Sequence, residues 1–198
     1  MNNALKNILR HHYIDLQGYV SAGMEAGKDE SRIFMNANEN PYELPGIERF
    51  NRYPEPHPHA LAHAYANAYG VDSNQIVMTR GADEAIQVLT KLFCEPHEDA
   101  VIICPPTFGM YGVNANATPA KLIEIPLLKS NGTFALDTYA IIKAAYNPAL
   151  QIKLIYICSP NNPTGTSFDH EEIKKICKET EGQSIVILDE TYAEFSKV

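Results

Sequence analysis

No apolar run in this 198-residue chain approaches the length of a membrane-spanning helix. The start, MNNALKNILRHHYIDL, is an amphipathic helix candidate with charges throughout, and it lacks the apolar core of a signal peptide. These absences lead to the expectation of a cytoplasmic protein. Basic residues are few: 16 Lys and Arg against 24 Asp and Glu give a net charge of −8, with no clustered basic patch. Such a balance repels phosphate backbones and anionic lipid, so neither nucleic acid nor membrane is expected as a partner. Cysteine is sparse too. Cys94, Cys104, Cys158 and Cys177 lie far apart, with neither the CxxC pairs of zinc sites nor the density of a disulfide scaffold, so reduced, mostly buried thiols are expected. In EPHPHALAH, His59 and His63 stand four apart, as metal ligands on one helix face would. Prolines flank His57 and no acidic or thiol ligand is fixed nearby, so a solvated helix start is the better reading and no metal is assigned.

What the chain does have is 45% apolar residues, enough for a substantial core. Short apolar, β-branched runs recur as QIVMT (75–79), AVIICP (100–105), KLIEIPL (121–127), IKLIYICSP (152–160) and SIVILDE (184–190). Helix-period segments separate most of them, roughly at 57–69, 82–93, 110–116, 137–146 and 169–181. The alternation predicts an α/β fold. Because the runs are nearly continuous in apolar residues, the strands should be parallel, with helices on both faces of the sheet. Residues 1–50 have a different texture, rich in Gly, Pro and Asn, and read as an N-terminal arm with connecting loops; 51–198 read as the main domain.

In open α/β sheets ligands bind at the carboxyl ends of strands, so the loops that follow strands carry the functional candidates. After IVMT comes RGADEAIQVLTKLF, a glycine turn feeding a helix whose Ala85, Leu89 and Leu92 form an apolar stripe. The unpaired amides and dipole of such a helix start favour a phosphate, held mainly by the backbone of Ala82 and Asp83; the bland alternative is Asp83 as an ordinary cap. After IYIC comes SPNNPTG, where two prolines and a glycine stiffen a turn that holds Asn162 as a hydrogen-bond donor, or else form a plain tight turn. After VIICP comes PTFGMY, which sets Phe108 just past a strand end, as a core aromatic or as a stacking surface for a flat ligand. The strand IVIL delivers Asp189 to its end, and a buried carboxylate there would need a cationic partner. A cofactor with a protonated ring nitrogen would satisfy it.

NPTG (162–165) followed by DETY (189–192) resembles the signature of the class I/II, fold-type I pyridoxal-phosphate aminotransferases. With NANENP (36–41), NRYPE (51–55), RGADEAI (80–86), CPPTFGMY (104–111) and CSPNNPTG (158–165), the chain from about Tyr19 to Phe195 is similar to the histidinol-phosphate aminotransferase family. The resemblance implies pyridoxal 5′-phosphate as cofactor, with Asp189 at the pyridine nitrogen, Asn162 and Tyr192 on the ring's 3′ oxygen, and Ala82 with Asp83 on the phosphate. Phe108 stands where the family commonly has Tyr and keeps the π-face. Tyr53 would reach the phosphate of a neighbouring subunit, implying a homodimer with shared sites, and Tyr19 would lie near the substrate. The implied reaction moves an amino group between L-glutamate and imidazole-acetol phosphate, giving 2-oxoglutarate and L-histidinol phosphate in histidine biosynthesis.

The same resemblance implies a Schiff-base lysine about one strand and loop beyond DETY, and arginines in a C-terminal small domain. Both are expected beyond Val198, so no catalytic lysine is assigned within the 198 residues; Lys197, eight residues past Asp189, reads as a coincidental surface lysine. The chain is thus expected to be the N-terminal portion of the enzyme, inactive alone. Two alternatives are another fold-type I enzyme, such as an aromatic aminotransferase or a phosphate-substrate decarboxylase, and a non-catalytic aminotransferase-like module.

Overall fold

The computed structural model describes residues 3–20, 33, 35, 37–47, 50–130 and 132–196. They divide into two compact units: residues 1–16 with 80–198, and residues 17–79. The texture change near residue 50 is therefore not where the chain divides by contact.

The first unit is built on a four-stranded, all-parallel sheet in the order β2-β1-β5-β6, with β1 Ala100–Ile103, β2 Lys121–Glu124, β5 Ile152–Cys158 and β6 Ile185–Asp189. A separate antiparallel pair, β3 Leu128–Ser130 and β4 Thr133–Ala135, follows β2. The helices are α1 Asn3–Ile8, α3 Gly81–Phe93, α4 Met110–Ala117, α5 Thr138–Ala145 and α6 His170–Glu179. Successive residues of a strand face opposite sides, and the core divides accordingly. Val101, Ile103, Leu154, Tyr156 and Cys158 join Ile86 and Phe93 of α3 and Tyr111 of α4 in one buried cluster. Ala100, Ile102, Ile155 and Ile157 join Ile141 of α5 and Ile173 and Ile176 of α6 in another. The expected α/β architecture, a mostly parallel sheet with helices on both faces, is the one observed.

Local chemistry sets the helix ends. The Asp137 side chain accepts from the Ala140 N–H at the start of α5, and Asp169 from the Glu171 N–H at the start of α6. On α3 the buried line is Ile86, Thr90 and Phe93, with Leu89 and Leu92 packed against that cluster, so the stripe centres one residue away from the expected Ala85 line. Arg10 ties the N-terminal segment to the far end of α3: its guanidinium makes two hydrogen bonds to the Glu95 carboxylate, at 2.9 and 3.2 Å, and one to the Lys91 carbonyl at 2.9 Å.

In the second unit, α2 His59–Tyr69 ends at Gly70, whose φ of +67° is the left-handed conformation that lets the helix close on the Ala66 carbonyl. The run at 75–79 does not form the strand that its residues suggest. Ile76 is extended, with φ −106° and ψ 130°, yet among the described residues no strand pairs with it, and Val77 is exposed. β-Propensity supplies an extended backbone but not the ladder partner that makes a strand. Ala66 is the only buried residue among those described in this unit. No helix among the described residues is long and apolar enough to cross a membrane.

Candidate active site

The carboxyl ends of β1, β5 and β6 lie side by side, and Cys158 at the end of β5 is in register with Asp189 at the end of β6. Two of the loops that leave these ends are laced together by Asn161. Its side-chain amide donates to the Pro106 carbonyl at 2.9 Å and to Thr164 Oγ1 at 2.9 Å, while its Oδ1 accepts from Thr107 Oγ1 at 3.1 Å. Asn161 is buried and structural, which leaves Asn162 as the member of the Asn pair that faces open space.

That space is an open cavity of about 220 Å³ lined by Arg80, Gly81, Ala82, Asp83, Phe108, Cys158, Asn162, Asp189, Thr191 and Tyr192. Six of the eight residues singled out in the sequence meet there: Ala82, Asp83, Phe108, Asn162, Asp189 and Tyr192. Tyr53 and Tyr19 belong to the second unit, where both are strongly exposed, and are not among the lining residues. Lys197 and Val198, the boundary past which the Schiff-base lysine is expected, lie outside the described residues.

Each part of the lining has a physical role it can fill. Ala82 and Asp83 lie in the first turn of α3, where an N–H has no carbonyl four residues back within the helix, so these two residues bring backbone donors and the positive end of a helix dipole to the cavity. Glu84 accepts from the Arg80 N–H at 2.5 Å, a bond that fixes the turn, and the exposed Arg80 guanidinium, 3.7 Å from the Glu84 carboxylate, is a lining cation that sequence reading passed over. Gly81 has φ +76°, a conformation costly for any residue with a Cβ, and so permits the sharp entry into α3.

Asp189 is half-buried, and among the described residues its partners are neutral donors, with no cation in ion-pair range. The Tyr111 hydroxyl donates to Oδ2 at 2.6 Å, while the Thr191 backbone N–H and hydroxyl donate to Oδ1 at 3.1 and 2.8 Å. Hydroxyl and amide donors stabilise a carboxylate without supplying a full counter-charge. Burial, then Asp189, push the Tyr111 hydroxyl well above its usual pKa, so it remains a donor. Burial likewise raises the Cys158 thiol, and raises Cys94 and Cys104 to about 12, in keeping with unreactive thiols.

The aminotransferase class I and II family model matches residues 26–197. The chain belongs to the class I and II aminotransferases. Among relatives of this aminotransferase chain, the histidinol-phosphate aminotransferase of Buchnera aphidicola subsp. Schizaphis graminum is 44% identical over 199 residues, covering 99% of this chain and 54% of that protein. The N-succinyldiaminopimelate aminotransferase of Mycobacterium tuberculosis superposes with a TM-score of 0.64 at 30% identity, over 72% of this chain and 38% of that one. The histidinol-phosphate aminotransferase of Sinorhizobium meliloti, solved in complex with pyridoxal-5′-phosphate, matches in fold with a TM-score of 0.64 at 20% identity, over 74% and 38% of the two chains. The chain spans about half the length of the curated relatives it matches.

Proposed function

We propose that this cavity holds pyridoxal 5′-phosphate and serves the transamination of histidine biosynthesis, between L-glutamate and imidazole-acetol phosphate. The observation that carries the reading is that one cavity combines an anion site with an anionic acceptor and an aromatic face. The first-turn amides of α3 and Arg80 suit a phosphate, Asp189 suits a protonated ring nitrogen, and Phe108 suits a flat ring. The donor set therefore fits a phosphorylated pyridine. When bound, the cofactor supplies an electron sink for the carbon that carries the amino group.

The chain's own contribution is orientation and charge. Ala82 and Asp83 hold the phosphate through their amides, Asp189 keeps the ring nitrogen protonated, and Asn162 and Tyr192 donate to the ring's 3′ oxygen. The choice of substrates rests on the likeness to the Buchnera enzyme, 44% identical. Among the described residues no lysine lines the cavity, and the proposed role of the 198 residues by themselves is to bind the cofactor without turning substrate over. A homodimer, with Tyr53 reaching the neighbouring site and Tyr19 close to substrate, is supported by the exposure of Tyr42, Phe50, Tyr53, Leu61 and Tyr65 in the second unit.

The test is equilibrium titration with pyridoxamine 5′-phosphate and with pyridoxamine, neither of which needs a lysine for attachment. The phosphorylated ligand should bind at least about tenfold more tightly, given the charge-assisted bonds at α3. Equal affinities would refute the phosphate site, and steady 2-oxoglutarate production from glutamate would refute the claim of inactivity.

A further inference from the structure

The acceptor side of the cavity has a feature that membership in the class I and II aminotransferases does not assign. A carboxylate has about four lone-pair positions, two on each oxygen. Both positions on Oδ1 of Asp189 are taken by Thr191, through its N–H at 3.1 Å and its hydroxyl at 2.8 Å. Oδ2 takes the Tyr111 hydroxyl at 2.6 Å and keeps one position. The oxygen left for a ligand is therefore the one that Tyr111 touches. We infer that Tyr111 is a positioning residue, whose hydroxyl holds Asp189 Oδ2 as an oriented anionic acceptor for a protonated ring nitrogen. This rests on the cofactor reading above.

Tyr111 is held so that its hydroxyl has one direction. It is 0% exposed. Its ring stacks on Tyr156, with centroids 4.6 Å apart and planes at 9°, and Phe108 meets it edge-on at 5.6 Å and 83°. Tyr156 is anchored in turn to α3, with its hydroxyl 3.2 Å from Thr90 Oγ1 and donating to the Ile86 carbonyl at 3.4 Å. Aromatic contact therefore links the strand-end carboxylate to the helix whose first turn lines the same cavity. A hydrogen bond donated to the charged form of a carboxylate stabilises that form. Held on both oxygens, Asp189 cannot rotate its acceptor away. A purely structural tyrosine would fill the core equally well but would not act on the ligand through Asp189.

The test is a double-mutant cycle on the 198-residue chain, titrated with pyridoxamine 5′-phosphate and read by ligand fluorescence, with thermal melts to check folding. Tyr111→Phe keeps the stack and removes only the hydroxyl, and it should weaken binding about tenfold. In an Asp189→Asn background the same change should cost less than about twofold, because the route through the carboxylate is already lost. The constant for competition by inorganic phosphate should be the same in all forms. Thr191→Val leaves the Thr191 N–H on Oδ1 and should weaken binding less than Tyr111→Phe does. Unchanged affinity in Tyr111→Phe, an equal loss in the Asp189→Asn background, or a larger loss in Thr191→Val would each overturn the inference. Absence of binding by the wild-type chain would overturn the cofactor reading itself, and this inference with it.

Discussion

Replacing Asp189 by Asn exchanges one acceptor oxygen for an NH₂ donor, and the hydrogen bonds decide which one. On the Oδ1 side stands the Thr191 backbone N–H, which cannot reverse its direction, so the Asn carbonyl belongs there. The NH₂ must then occupy the Oδ2 side, where the Tyr111 hydroxyl can turn and accept from it. The fold therefore loses little, and the melting temperature should stay close to that of the wild type. A ring N–H approaching the cavity would meet a donor where an anion had been. A hydrogen bond to a charged group is worth about 1.5–3 kcal/mol, and Asp189 is half-buried and not deeply enclosed, so the expected loss is about 10- to 100-fold in affinity for pyridoxamine 5′-phosphate. Fluorescence titration measures it, with inorganic phosphate as a control ligand whose affinity should not change. An Asn variant that binds the phosphorylated pyridine within about twofold of the wild type would refute the assignment, and Asp189 would be a strand-end carboxylate that merely organises the 189–192 turn.

Phe108→Leu removes the aromatic face and should weaken the same ligand about two- to tenfold, whereas Phe108→Tyr should match the wild type; equal binding by the Leu variant would show that the ring is core and not a stacking surface. The Arg10–Glu95 tie should respond to pH in a definite direction. The Arg10 hydrogen bond holds the Glu95 carboxyl below its usual pKa of 4.5, so the contribution is present above that value and is lost as pH falls through the depressed one. The melting-temperature advantage of the wild type over Arg10→Ala should therefore be full at pH 7 and shrink below about pH 4.5; a gap that persists unchanged in acid would assign the tie to packing alone.

The central strands could be read from the sequence because β1 and β5 are covered on both faces, which demands continuous apolar runs such as AVII and IKLIYIC. The run at 75–79 was misleading for the converse reason: its residues favour an extended backbone, but pairing depends on a neighbour that no local pattern specifies. The small β3–β4 pair went unseen although Asn131-Gly132, between its strands, is a strong hairpin dipeptide. Asp189, Asn162 and Phe108 stand out in the sequence because each lies at or just past a strand end, and all three line the cavity. Tyr111 does not stand out, since within CPPTFGMY it reads as a helix residue packed in the core. Its role arises only when the helix after β1 meets the end of β6, 78 residues away. Arg80 and Thr191 were overlooked for being ordinary surface residue types whose meaning comes from what they stand beside.

The most direct test of the central claim is a crystal structure of this chain with pyridoxamine 5′-phosphate bound. The phosphate should lie on the amides of Ala82 and Asp83, the ring against Phe108, and the ring nitrogen within hydrogen-bond distance of Asp189 Oδ2, with the Tyr111 bond retained. A ligand bound in the reverse sense, with its phosphate toward Asp189, or one seated outside this cavity, would contradict it.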